Sequence, residues 1–439
     1  METKELLSYC WKHRLFGECL KTTNGKSLEI TDQGLFDRRH GSRFFNAKVK
    51  IDNTLFVGNV LVLTATSEFY ESFKDYREES TNTILVLCNF VNGTCVDANG
   101  WGIHVLEAEI PEKVTRNYDA LKGIGGDMLC HYHIMQYVPN LARHAWLSAM
   151  QTEFLENESD YLSRYYKECG KDLEETFLCA VLRAFGFNVN KVVMDLLARN
   201  LSLDALNKHR DDLFQIEAIL FGQAGLLEIS PEQQCALPEK YYDKAMKEGY
   251  FSKLRNEYLY LRIKYNMPWP LSRLSWHPYG KGAHAYPHTY LSMIANLWYK
   301  RLLSAQIVLA VETAKDAMNL FDTHCTPYWE SHNIFGAVHR KFEKHLSDDR
   351  KAWLVMAAVV PFLFFYGRLM SREDLCDRAF DMMDQLKQFS TTETNYFRKC
   401  GVECRDAGES LALTHLKNEY CSNKNCLRCR FGYEFIKKH

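Results

Sequence analysis

The chain has 439 residues and a mass of 51.2 kDa, room for roughly two or three domains at about 150 residues each. Hydrophobic residues make up 46% and the mean hydropathy is -0.32, while 54 Lys and Arg against 55 Asp and Glu leave a net charge of -1, which excludes a global field for holding a polyanion. Fifteen Cys in this length fall far below the roughly 8–10% of disulfide scaffolds, and the odd count points to a reducing, cytoplasmic interior with most thiols acting as small buried hydrophobes.

At the N-terminus, Lys4 and Glu5 precede a short apolar stretch, Leu6 to Trp11, before Lys12 and Arg14 intervene. This is not the pattern of a secretion signal. Residues 27–110 read as strands. Phe45, Ala47, Val49 and Ile51 alternate with Asn46, Lys48, Lys50 and Asp52, the period of a sheet with one face buried. Leu55–Thr64, Thr83–Val91 and Ile103–Ile110 are β-branched and aromatic runs, separated by turn signals at Asn92-Gly93 and Asn99-Gly100.

From about residue 115 the apolar residues fall three and four apart, which predicts helices over 145–166, 174–185, 191–200, 213–227, 238–265, 290–313 and 371–389. Ser371, three before Asp374, predicts a helix cap. Small residues in the 213–227 run, Gly222, Ala224 and Gly225, predict close helix packing. The uncharged, strongly apolar run Ala352–Gly367 is shorter than the roughly 20 residues a membrane span needs and contains Pro361, so it predicts a kinked core helix and no membrane contact. The fold class expected is α+β: a β-rich domain over 1–115, a mostly helical domain over 116–399 and a Cys-rich tail over 400–439.

Long segments carry a family resemblance: "LKTTNGKSLEI", "FFNAKVKIDNTLFVGNV", "DLEETF", "FGFNVN", "DDLFQIEAILFGQAGLLE", "YPHTYLSMIA" and the closing "CLRC". Together they resemble domain-of-unknown-function family 2851, found in Bacteroidota, over nearly the whole chain. The family supplies no biochemical function to carry over. Its pattern before the first alternating strand is Gly-x-x-Asn-x-Asp-Ala-Gly-Pro-Asp-Phe, and its next strand ends Gly-Asn-Val-Glu-Ile-His before a Ser-Asp-Trp turn. An acid ahead of one strand and a Glu near a polar group on the next are similar to a restriction-endonuclease-like site, where carboxylates hold Mg²⁺.

On that resemblance the ligand positions are altered here. The Asn falls on Asp37, the two Asp on Arg39 and Arg43, and the Glu and His on Leu61 and Leu63, with Glu68-Phe69 in place of Asp-Trp. An Arg repels a cation and a Leu supplies no ligand, so the resemblance implies a degenerate nuclease-like site. Two further charged patterns of the family are also replaced: Gly282 to Tyr290 lacks both its Arg, and Glu153-Phe154-Leu155-Glu156 lacks a third. The apolar frame is kept throughout.

In the tail, Cys421, Cys426 and Cys429 follow C-x4-C-x2-C. With Cys404 as fourth ligand, or His415 or Cys400 in its place, they would hold a structural zinc; the alternative is reduced thiols in a terminal hairpin. Lys417, Lys424, Arg428, Arg430, Lys437 and Lys438 interleave with Tyr420, Phe431, Tyr433 and Phe435, a pattern open to nucleic-acid contact or to a solvated face. Cys130, His131, His133 and His144 could gather only on a loop. His277, His284 and His288 could form a general-base site or a half-buried turn. The "GIGGD" segment at Gly123–Asp127 lacks the setting of a phosphate loop.

These features leave three functional expectations. The first is a non-catalytic binding or scaffold protein with a protein or nucleic-acid partner. The second is an enzyme with a relocated His/acid site, and the third a nucleic-acid-binding protein using the basic tail.

Overall fold

The computed structural model describes every residue except 1, 18, 38–42, 76, 124–133, 188, 228–238, 280–285 and 439, and also leaves out the side chains of 37, 123, 239, 240 and 438. The chain forms two compact units. One holds residues 1–146, 399–402 and 416–439, the other 147–398 and 403–415. These boundaries differ from the division at 115 and 399 expected from sequence: the segment 116–146 and most of the tail fold with the N-terminal sheet.

In the first unit, helix α1 (Glu2–His13) carries Glu2 and Glu5 in its first turn and Lys12 in its last, the order that complements the helix dipole. It buries Leu6, Leu7, Cys10 and Trp11, and the Trp11 indole donates to the Gln33 carbonyl at 3.0 Å. A mixed sheet follows: β1 (Leu20–Lys21), β2 (Ser27–Asp32), β3 (Leu35–Asp37), β4 (Arg43–Ile51), β5 (Thr54–Ala65), β6 (Thr83–Phe90) and β7 (His104–Glu107). Its order is β1-β2-β4-β5-β6-β7, with β3 also paired to β4. The β4–β5 pair is antiparallel, whereas β5–β6 and β6–β7 are parallel.

Strand β5 is therefore central and covered on both faces, which explains its unbroken buried run Val60, Leu61, Val62, Leu63. Val60 and Val62 join Leu7, Trp11, Phe44, Leu85 and Leu87 in one cluster. Leu61 and Leu63 join Phe69, Phe73, Val86 and Cys88 in another.

The alternation expected on β4 holds for Ala47, Val49 and Ile51, all buried, against exposed Lys48 and Lys50. It fails at Phe45. The β4–β5 register shifts between Phe44 and Ala47, and Asn46 takes a positive φ of 52°. This bulge puts Phe44 in the core and leaves Phe45 only partly buried. Beyond the sheet, helix α2 (Glu112–Gly123) packs on the C-terminal helix α3 (Arg430–Lys438), where the Asn117 amide donates to the Ile436 carbonyl at 3.2 Å.

The second unit is mostly helical around one large apolar core that includes Phe177, Phe221, Tyr258, Trp298, Trp329 and Phe362. The small residues at 222–225 behave as expected. A Cβ at Gly222 would lie 2.1 Å from the Tyr258 ring, and Gly225 holds a positive φ of 74° against the Leu271 carbonyl. Two expected helices are each broken. The 238–265 run divides at Gly249, φ 74°, into Glu239–Glu248 and Tyr250–Lys264, and the 290–313 run divides after Tyr299.

Ser371 is the left-handed C-cap of the preceding helix rather than the N-cap of the next; that next helix starts at Glu373 after Arg372. The helical stretch Asp348–Met370 is long and apolar enough to cross a membrane by length and composition, and 67% of its most apolar window is buried inside the protein. It passes through a π turn at Val355–Val359 just before Pro361. A widened turn accommodates the N–H that proline lacks.

Candidate functional site

Three candidate positions of the first unit, Arg43, Leu61 and Leu63, lie on the paired strands β4 and β5. Arg43 lies directly opposite Leu61 in the ladder, so the two side chains share one face of the sheet. Leu63 is two residues on and projects to the same face. Leu61 pairs with Val86 and Leu63 with Cys88 on β6. Three of the expected site positions thus share one face, and what they bring there is one guanidinium and two leucines.

The face is closed by the connection between β5 and β6. Three short 3-10 turns, Thr66–Glu68, Glu71–Phe73 and Arg77–Asn82, bring Phe69 and Phe73 down as buried side chains. Arg43 is 8% exposed. Its guanidinium carbon lies 4.9 Å from the Phe73 ring centre, and Nη1 donates to Glu79 Oε2 at 2.9 Å.

Desolvation of the cation is offset by the ion pair and by the ring face beneath it. Nε is buried without a hydrogen-bond partner. The neighbouring thiols report the same dry surroundings, since burial pushes Cys88 up to about 12 and Cys95 up to about 11. A hard cation needs several oxygen ligands, and none of Arg43, Leu61 or Leu63 offers one.

Glu68 ends the turn that follows β5 and accepts from the Thr64 backbone N–H at 3.5 Å. Asp37 pairs with Arg43 across β3 and β4, with its side chain outside the described residues. Arg39 also lies outside them. The sequence alone gave no sign of Glu79 or Phe73, because their role arises from a turn-rich connection without periodicity.

In the tail, Cys421 ends a π turn, Cys426 starts a 3-10 turn and Cys429 follows it. Cys429 is buried, and its thiol is pushed up to about 11, chiefly by burial. Burial raises Cys426 as well. Cys400 falls in the same unit, whereas Cys404 and His415 fall in the other. His415 Nε2 stands 3.5 Å from Glu153 Oε1. Among the described residues, no three His, Cys, Asp or Glu side chains are grouped to hold a metal ion.

The other histidines separate. His277 is exposed and is held by its backbone, which exchanges hydrogen bonds of 2.8 and 2.9 Å with the Asn190 amide. His288 is buried among Phe221, Trp329 and Phe335. Its Nδ1 has no hydrogen-bond partner, and burial lowers its pKa to about 3. Cys130, His131, His133, His284 and the segment 124–127 lie outside the described residues.

A buried polar group that sequence reasoning passed over is Glu217, 1% exposed. It accepts from the Tyr250 hydroxyl and from Thr326 Oγ1 at 2.9 Å, and burial raises its pKa. Its signal was a lone acid inside the apolar run 216–227.

No curated protein and no solved structure matches the chain. The family described as protein of unknown function, DUF2851, matches residues 4–392. The long segments quoted above fall almost entirely within that span, and the chain belongs to the DUF2851 family.

Proposed function

We propose that the protein is a non-catalytic binding or scaffold protein whose N-terminal sheet keeps the frame of an endonuclease-like cation site without its ligands. The observation that carries this reading is the pairing of Arg43 with Leu61 beneath Phe69 and Phe73. Catalysis by a hard cation requires an open, oxygen-lined position. Here that face holds a paired guanidinium and packed apolar side chains. Loss of charged residues with retention of the apolar frame fits selection for a surface rather than for turnover.

A cytoplasmic setting belongs to the same proposal, supported by thirteen described cysteines that are all free thiols. The test is calorimetric titration of the full chain with Mn²⁺ and with Mg²⁺. The expected result is no saturable site that Asp37→Ala or Glu68→Ala removes. A site lost in either variant would overturn the reading.

A further inference from the structure

The opposite face of the sheet carries a different feature. A cavity of about 170 Å³ opens beside α1. Its wall includes buried Tyr9, Phe44 and Tyr118, and Phe36, whose ring centre lies 5.0 Å from that of Phe44. Lys12, Lys424 and Arg428 line it together with one carboxylate, Glu5.

Lys424 and Arg428 have no ion-pair partner among the described residues, and their backbone is fixed. Lys424 N donates to the Cys421 carbonyl at 3.1 Å and Arg428 N to the Asn425 carbonyl at 3.0 Å.

We infer that this cavity is a nucleotide site that takes one base against its aromatic wall and the phosphate on Lys12, Lys424 and Arg428. Lys424 and Arg428, which have no ion-pair partner among the described residues, select an anion, and the chain's net charge of -1 makes that selection local. Aromatic rings select a planar partner by stacking. Size then limits the occupant: an apolar cavity of about 150 Å³ holds a single benzene ring, so this one admits one base and leaves the phosphate at the exposed cations. A run of stacked bases has no room.

The inference rests on the binding reading and names a ligand for it. Calorimetry on the full chain with the four ribonucleoside 5′-monophosphates, their nucleosides and inorganic phosphate tests it. At least one monophosphate should bind saturably, and its nucleoside and inorganic phosphate should each bind roughly tenfold or more weaker, the worth of one charge-assisted hydrogen bond.

Lys424→Glu and Arg428→Glu should each weaken that monophosphate by a similar factor while circular dichroism and melting temperature stay unchanged. Binding should also fall with added salt. No saturable binding by folded wild-type protein, a nucleoside that binds as tightly as its monophosphate, or affinity untouched by both variants would overturn the inference. Such a failure leaves the non-catalytic reading standing, because only a metal site or cleavage bears on that.

Discussion

Arg43 and Leu61 face each other across the β4–β5 ladder, and the Arg43 guanidinium is held between Glu79 and the Phe73 ring. A cation thus sits here as a packed structural group, paired with one carboxylate and covered by one ring.

The first prediction concerns that group. Arg43→Ala should destabilise the protein by about 1–3 kcal/mol, because it removes the aliphatic packing of a buried side chain together with its hydrogen bond to the exposed Glu79 carboxylate. Arg43→Leu should cost less, under about 1.5 kcal/mol, since leucine keeps apolar packing against Phe73 and leaves Glu79 free to be solvated. Urea unfolding of both variants checks the order. A leucine variant no more stable than the alanine variant would show that apolar packing at this position does not hold the face.

The second prediction is a pH dependence. His288 has a folded pKa near 3, below its ordinary 6.5, through burial and the nearby cations Arg273 and Lys344. A depressed histidine contributes stability that is complete above about 6.5 and is lost as pH falls toward 3. His288→Phe should therefore flatten the acid side of the stability curve between those values. Chemical denaturation at pH 7, 5 and 4 measures it; an unchanged acid limb would show that His288 does not cause the loss.

Thiol reactivity gives the third. Cys19 is exposed and should react with iodoacetamide first, while Cys429 and Cys10, pushed up by burial to about 11 and 12, should react last. Mass spectrometry of timed samples gives the order, with and without a chelator. Protection of Cys421 and Cys426 that the chelator lifts would instead show a zinc site in the tail.

The sequence carried the layout further than the site. Ala47, Val49 and Ile51 announced their strand because period two survives when one face is buried, and Gly222 marked a close helix approach because only hydrogen fits beneath the Tyr258 ring. Phe45 misled because the bulge at Asn46 resets the period, a change of backbone that side-chain type does not encode. Gly249 broke a helix whose apolar spacing ran on unbroken past it.

The Arg43–Leu61 pairing was hidden for another reason. Register depends on the bulge and on the Asp52-Asn53 turn together, so neither strand alone specifies its partner. Glu217 was visible as an acid in an apolar run, but its partners Tyr250 and Thr326 come from 33 and 109 residues away.

The most direct measurement is incubation of the purified chain with single- and double-stranded DNA and RNA in the presence of Mg²⁺ or Mn²⁺. The substrates should remain intact, as a face built from Arg43, Leu61 and Leu63 requires. Cleavage that depends on the metal and disappears in Glu68→Ala or Asp37→Ala would contradict the account.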